Sequence, residues 1–506
     1  MTRPDMRGLY CLASGIRLIP QNGYGVILKD DPFRAFRVNL GALRLLEKCR
    51  AGFSPESEAQ SWSPDSIKAA LAVFDRFVET GVLEWKPSES GVLPFVSIVI
   101  PVYNRADDIR SCLESLLALD YPTSQFEIIV VDDKSSDKTA NVVKSYGVKL
   151  IVQLKNLGQS AARNAGVLAS KGEIIAFIDS DCIAGPCWLS ELVPYFEDPR
   201  NALVGGYVDS YYRETWLDRY EEANSPLNMG QKFIMGFGPQ SDFYVPTCNM
   251  LVRRGAYLKV RGLDETMRVG EDVDLCWRLK ENGFRLVYVP KGRIEHKHRN
   301  RFLETFGRRF DYGASEPVLY SKHKDVEKRF PWQPACMALL FTCLFGLLWR
   351  NIIALPLATA ILVADSFLKK ARYEKQIGMP LPFKYILKAT AEKHFNLIFY
   401  LTHHVIRYYL LLITVVVVMC PSLLPAAVTA IVFTSLVEFI RKKPRLLFPV
   451  FFFYFVIEQA YYQTGVFVGC LKRKSFRPYK LNFMRTRKVT TLAGSSSRTG
   501  SLYEKA

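Results

Sequence analysis

The chain has no CxxC pair and no cysteine–histidine cluster: its eleven cysteines are scattered over 506 residues. That scatter excludes a structural zinc module and a disulfide-stapled secreted fold. It fits reduced thiols in a cytosolic or cytosol-facing protein. The opening residues, MTRPDMRGLY, contain no apolar h-region, so no secretory signal peptide is expected. Basic residues do not interleave with aromatics in a groove-like pattern, so nucleic acid is not an expected partner. Positive charge, by contrast, is abundant: 67 Lys+Arg stand against 49 Asp+Glu, a formal net charge of +18. Such an excess suits phosphate-bearing small molecules or a negatively charged membrane face. The length implies two or three units rather than one.

Residues 1–88 read as a small module. Two β-like runs, YCLASGIRLI and YGVILKD, flank the turn signal QNG at 21–23. In NLGALRLLEKC, Asn39 is a candidate N-cap ahead of Leu40, Leu43 and Leu46. A second helix opens at Ser63-Pro64, carries Ile67, Ala70, Leu71, Phe74, Phe77 and Val78 on one stripe, and stops at Gly81. The expectation is a module of winged-helix character. Nothing in it looks catalytic, so a docking role follows. The stretch Glu89–Gly91 reads as a linker.

Residues 92–325 alternate apolar runs with polar, helix-like stretches. VSIVI (96–100), FEIIVV (126–131), LIVQL (150–154) and EIIAFI (173–178) imply βαβ units and a parallel sheet covered on both faces. In such sheets ligands gather beyond the carboxyl ends of the strands. Asn104-Arg105, Asp132-Asp133 and the pair Asp179 and Asp181 all fall at those ends.

Residues 332–470 are hydrophobic, with candidate membrane stretches at 335–348, 352–367, 408–437 (broken at Pro421) and 446–470. Several fall short of the roughly 20 apolar residues that a span needs, so hairpins or interfacial helices are alternatives. Seven Lys/Arg lie within 369–393, and Arg441-Lys442-Lys443 and Lys472-Arg473-Lys474 flank the last stretch. The positive-inside tendency puts these on the cytoplasmic side. With basic residues on both sides of 446–470, a re-entrant hairpin turning near Glu458-Gln459 would reconcile the count. The tail, 489–506, is polar and small and reads as disordered.

Asp179 and Asp181 occupy i and i+2 at the end of a strand, so their side chains project to one side. Two anions so close need something positive beside them, or else form a solvated turn. Further along, Glu271-Asp272 follows Gly270 and precedes Leu275, Cys276 and Leu279 at helical spacing. Asp272 is thus expected at a helix N-terminus, where the dipole favours an ionised carboxylate. Trp277 reads as core. His296 and His298 follow the apolar run LVYVP, and neutral imidazole is a common metal ligand. Arg308-Arg309 suits phosphate or membrane head groups, and His403-His404 suits helix packing or an interface.

VSIVIPVYNR, EIIVVDDKSSDKT, NLGQSAARNAG, FIDSDC and GEDVDLCWRL follow one another as in family 2 glycosyltransferases, a resemblance that covers residues 96–310. It implies an α/β, GT-A nucleotide-diphospho-sugar transferase core (Rossmann-like), with the small module before it and a C-terminal hydrophobic helical membrane region after it. It also implies a UDP-sugar donor and Mg²⁺ or Mn²⁺. Asp181 matches the metal ligand, with His296, or His298 close behind, completing the site. Asp179 would sit by the ribose or assist coordination. Asp133 matches the position that bonds the uracil or ribose, Asp132 would support its turn, and Arg163 would face the diphosphate. Asp272 matches the base that takes a proton from the acceptor hydroxyl. The QxxRW motif of processive synthases is absent, which weighs against a cellulose- or hyaluronan-type reading.

The first module resembles the small peptide-binding domain of the PQQ pathway. Ahead of a family 2 domain with an apolar tail, it resembles the order found in mycofactocin-system glycosyltransferases. That resemblance implies transfer of glucose from UDP-glucose to the peptide-derived redox cofactor premycofactocin, in β-1,4 linkage, at the cytoplasmic membrane with the catalytic domain facing the cytosol. A transferase of cell-envelope polysaccharide or glycolipid is the alternative enzyme. A peptide-docking scaffold is the alternative outside enzymes, against which the intact acid pairs speak.

Overall fold

The computed structural model describes residues 8–30, 33–57, 63–88, 93–236 and 243–485. The expected linker around 89–91 and the tail at 489–506 lie outside the described residues. The chain forms two compact units, and each is discontinuous. One comprises Met1–Lys86, Glu327–Glu438 and Tyr479–Ala506; the other comprises Pro87–Val326 and Phe439–Pro478.

At the start of the first unit, β1 (Leu9–Leu12) pairs antiparallel with a later strand, and β2 (Ile16–Gln21), β3 (Tyr24–Lys29) and β4 (Arg34–Val38) form an antiparallel sheet. The β2–β3 turn is Asn22-Gly23, as the sequence reads. Helix α1 (Leu40–Lys48) is capped by Asn39, whose side chain accepts from the Ala42 amide at 2.7 Å. Helix α2 (Pro64–Glu79) buries Ala70, Leu71, Phe74 and Phe77, and β5 (Leu83–Lys86) completes the pair with β1.

The second unit opens with β6 (Val96–Val102), α3 (Ala106–Leu117), β7 (Phe126–Asp132), α4 (Thr139–Lys144), β8 (Lys149–Val152), α5 (Gln159–Leu168) and β9 (Ile174–Ile178). There follow β10 (Cys182–Ala184), α6 (Trp188–Leu192), β11 (Asn201–Gly205), β12 (Val208–Ser210), α7 (Trp216–Asn224), β13 (Ile234–Gly236) and β14 (Asn249–Arg253). Then come α8 (Arg254–Lys259), α9 (Glu271–Glu281), β15 (Arg285–Tyr288), β16 (Ile294–His296) and α10 (Phe302–Lys322). Eight strands make the main sheet, in the order β13-β15-β11-β14-β9-β6-β7-β8. The neighbours β9, β6, β7 and β8 run parallel; β9 and β6 are buried throughout and β7 over most of its length, whereas the edge strand β8 is partly exposed. The sheet is mixed rather than wholly parallel, however. Strand β14 enters antiparallel between β9 and β11, and β13 runs antiparallel to β15. A smaller sheet, β10-β16-β12, stands at the carboxyl end of β9.

The remaining elements are β17 (Arg329–Trp332), α11 (Pro334–Trp349), α12 (Ala354–Ile377), α13 (Phe383–Met419), α14 (Leu424–Lys442), α15 (Phe448–Arg473) and β18 (Asn482–Arg485). In the first unit, the buried residues Val26 and Leu28 of β3 share one core with Ile377, Leu381 and Ile386 around the α12–α13 connection. Tyr24 donates to the Gly378 carbonyl at 3.3 Å, and Phe33 stacks on Tyr385. The sheet of the N-terminal module is therefore built onto the α12–α13 hairpin. Among the described residues, two helices are long and apolar enough to cross a membrane, Phe383–Met419 and Pro421–Lys442.

The apolar stretch 446–470 does not turn at Glu458-Gln459. It is one continuous helix, α15, within the second unit. Glu458 is buried there. It accepts hydrogen bonds from Tyr220 (2.9 Å) and Asn224 (2.7 Å) and lies 3.5 Å from Arg309. Those partners satisfy the carboxylate inside the helix, so no loop is needed to bring it to water.

Candidate active site

Strands β6, β7 and β9 end side by side, and each carboxyl end carries a polar residue fixed by local hydrogen bonds. After β6, Asn104 sits in the left-handed region (φ 51°) and its side chain accepts from the Ser136 amide at 2.8 Å. Asp132 is buried at the end of β7 and accepts from the Ser135 amide at 2.9 Å, supporting the turn. Asp133 accepts from two consecutive backbone amides at the start of α5, Leu157 and Gly158, both at 2.7 Å. This carboxylate clamps the N-terminus of α5 against β7. Each of its oxygens keeps a further lone pair for another donor.

Helix α5 delivers Arg163, which is 1% exposed. Its guanidinium donates to Asp179 at 2.5 Å and reaches Glu271 at 3.4 Å. The positive group that the acid pair demands is thus this arginine for Asp179. For Asp181 it is Arg105, at 3.8 Å from the start of α3. Gln159 donates to Glu271 at 2.6 Å from the same helix. Arg163 therefore joins two acidic motifs that lie 92 residues apart in the chain (179 to 271).

Asp181, Cys182 and His296 bring their ligand atoms within 4.8 Å of one another. Strand pairing does this: Cys182 lies opposite His296 in the β10–β16 ladder, and the Lys297 amide donates to the Asp181 carbonyl at 2.9 Å. Nε2 of His296 is 3.7 Å from Asp181. Burial pushes the Cys182 thiol well above its ordinary value, so it stays protonated and is a poor ligand. One carboxylate and one imidazole remain, a donor set suited to a hard divalent cation. His298 faces elsewhere. Its ring is buried between Ser210 (2.8 Å) and Asp218 (3.1 Å), and that burial lowers its pKa.

Helix α9 begins at Glu271, behind Gly270 at φ 81°. A Cβ on Gly270 would meet Leu319 at 3.2 Å and Ser315 at 3.4 Å, so α10 packs directly on this cap. Glu271 is buried and Asp272 half-buried beside it. Burial raises both carboxyl pKa values, and the neighbouring Asp272 raises Glu271 further. Arg308 of α10 and Arg163 both pull the other way. A carboxylate at a helix start with a raised pKa, next to a cation-rich wall, is equipped to accept a proton.

Residues 97–261 match the model of the family described as glycosyl transferase family 2. The pre-mycofactocin glycosyltransferase of Mycobacterium tuberculosis is 34% identical over 265 residues, which is 52% of this chain and 54% of that protein. The chain thus spans about half the length of that relative. The glycosyltransferase AglE of Haloferax volcanii is 32% identical over 40% of this chain and 66% of its own. Among solved structures, the mannosyltransferase PcManGT of Pyrobaculum calidifontis aligns at 19% identity with a TM-score of 0.38, over 65% of this chain and 97% of that one.

The chain carries a family 2 glycosyltransferase domain.

Within this glycosyltransferase domain, the geometry gathers Asp132, Asp133, Arg163, Asp179, Asp181 and His296 at the strand ends, with Glu271 and Asp272 joined to them through Arg163. His298 stands two residues beyond that group. Two further charged side chains belong to the rim: Arg105, from the polar cluster the sequence places at the end of β6, and Lys297, which the sequence alone does not single out. Arg105 pairs with Asp108 at 2.8 Å and faces Asp181, and Lys297 reaches Asp108 at 3.2 Å. Lys297 carries a signal in hindsight, because it lies between two histidines.

Proposed function

We propose that this chain is an inverting, metal-dependent glycosyltransferase that moves glucose from UDP-glucose onto a peptide-derived redox cofactor, premycofactocin, building a short β-1,4-glucan at the cytosolic face of a membrane. The observation that carries the transferase reading is Arg163. One buried guanidinium holds Asp179, two residues from the proposed metal ligand, and Glu271, next to the proposed base. A diphosphate leaving group needs its charge neutralised, and a divalent cation held by Asp181 and His296 would supply that. Asp272 takes the proton of the acceptor hydroxyl as its oxygen attacks the anomeric carbon and the bond to the diphosphate breaks. Asp133 and Asp179 address the nucleoside. The acceptor rests on likeness to the M. tuberculosis relative and on the resemblance of the N-terminal module to a peptide-recognition domain.

The test is transfer of labelled glucose from UDP-glucose with Mn²⁺ or Mg²⁺. Asp272→Asn should abolish transfer while UDP binding persists, and Asp181→Ala should lose metal-dependent nucleotide binding. A second reading, a transferase of envelope glycan or glycolipid, is favoured by the exposed apolar turns of the α11–α12 and α13–α14 hairpins, where Ile352 and Met419 are 84% and 77% exposed. Membranes offered each acceptor class with UDP-sugars would separate the two readings.

A further inference from the structure

Helix α15 poses a physical problem. At 26 residues it is about 39 Å long, enough to cross a hydrocarbon core of roughly 30 Å, yet both of its ends are basic. Lys443 and Arg445 precede it, and Lys472, Arg473 and Lys474 close it.

Its neighbour excludes a crossing. Helix α10 runs alongside with the two backbones touching. A Cβ on Gly465 would lie 2.0 Å from the Phe310 carbonyl oxygen, and one on Gly313 would lie 2.1 Å from that of Tyr462. A Cβ on Gly469 would lie 2.6 Å from the Ala314 carbonyl oxygen. Over this stretch α10 carries Arg308, Arg309, Asp311 and Glu316. A crossing by α15 would carry those charges into the hydrocarbon, where a charged side chain is costly.

The polarity of α15 is also inverted. Its polar residues Glu458, Gln459 and Gln463 are buried against the catalytic unit. Its outward face presents Phe453 (55% exposed), Phe467 (47%) and Leu471 (53%). Phe453 and Leu471 are separated by five full turns and so share one line along the helix. An apolar stripe with a basic group at each end matches an anionic bilayer interface, where rings sink to the acyl boundary and cations meet head groups.

We infer that α15 lies in the plane of an anionic lipid interface and docks the catalytic unit onto it, rather than crossing the membrane. This inference is independent of the transferred sugar and of the acceptor. The test uses the full-length chain in vesicles of phosphatidylcholine with and without phosphatidylserine. A polarity-sensitive NBD label is attached at Phe453→Cys or Leu471→Cys, with the exposed Cys187, Cys343 and Cys420 replaced by Ser. The expected result is a blue-shifted emission at both positions, deepened by phosphatidylserine, with equal quenching by lipid spin labels held near the head groups. A depth difference between the two labels, or access to one of them only from the far side, would mean that the helix crosses and would overturn the inference. Emission characteristic of water at both positions would overturn it as well. Both sites are exposed, so the labels leave the core intact. Transfer activity in the same vesicles reads the proposed function separately.

Discussion

Arg163 is a buried cation with two acidic partners, so its charge and its fork geometry both matter. Lysine keeps the charge but not the paired contacts. Arg163→Lys is expected to leave a folded protein whose transfer rate falls at least tenfold. Arg163→Met strands the buried carboxylate of Glu271 and the partly buried one of Asp179 and should cost about 3–5 kcal/mol of stability, read by urea denaturation. The raised carboxyl pKa values at Glu271 and Asp272 make a second prediction. A base works deprotonated, so a raised pKa moves the acid limb of the rate upward in pH. The profile of kcat/KM should fall on the acid side above the ordinary aspartate value of about 3.9; a limb at that value would remove the burial effect from the mechanism.

At the scale of elements, α9 and α10 are joined by a second charged cluster. His323 bonds Asp274 at 2.9 Å and Glu281 at 2.8 Å, and Lys322 reaches Asp274 at 2.6 Å. Burial lowers the pKa of His323, but the hydrogen bonds to Asp274 and Glu281 prevail and raise it. A raised histidine contributes stability that is full below its unfolded pKa of about 6.5 and is lost as pH rises through the folded value. His323→Gln should therefore destabilise more at pH 6 than at pH 9 in thermal melts, and equal losses would contradict the clamp. The α10–α15 seam makes a packing prediction. Gly465→Ala places a methyl against the Phe310 carbonyl and should cost roughly 1–3 kcal/mol, whereas Thr464→Ala on the outward face should be nearly neutral in the same urea titration.

Across the whole molecule, the sequence was most informative where one local rule decides the outcome. The apolar runs at 96–100, 126–131 and 173–178 supply strands, the run at 150–154 does so only as far as Val152, Asn39 caps its helix, and Gly270 precedes α9. It was silent where partners are distant. Nothing near Arg163 announces that Asp179 and Glu271 will enclose it, and strand alternation cannot reveal that β14 enters the sheet antiparallel. Hydropathy also could not show which face of α15 the rest of its unit covers, because it counts apolar residues alone. The discontinuity of both units is likewise invisible locally. Since β3 shares a core with Ile377, Leu381 and Ile386, deleting residues 1–88 should do more than remove a docking site. It should uncover those side chains and lower the yield of soluble or membrane-inserted protein; unchanged yield and melting would contradict the shared core.

The account stands on one cation binding beside the two acidic motifs, and anomalous diffraction from crystals grown with Mn²⁺ and UDP tests it most directly. The expected map has a single strong peak in bonding range of Asp181 and His296, touching the diphosphate, and Asp181→Ala erases it. Manganese bound away from those two residues, or a peak that survives the substitution, would contradict the account.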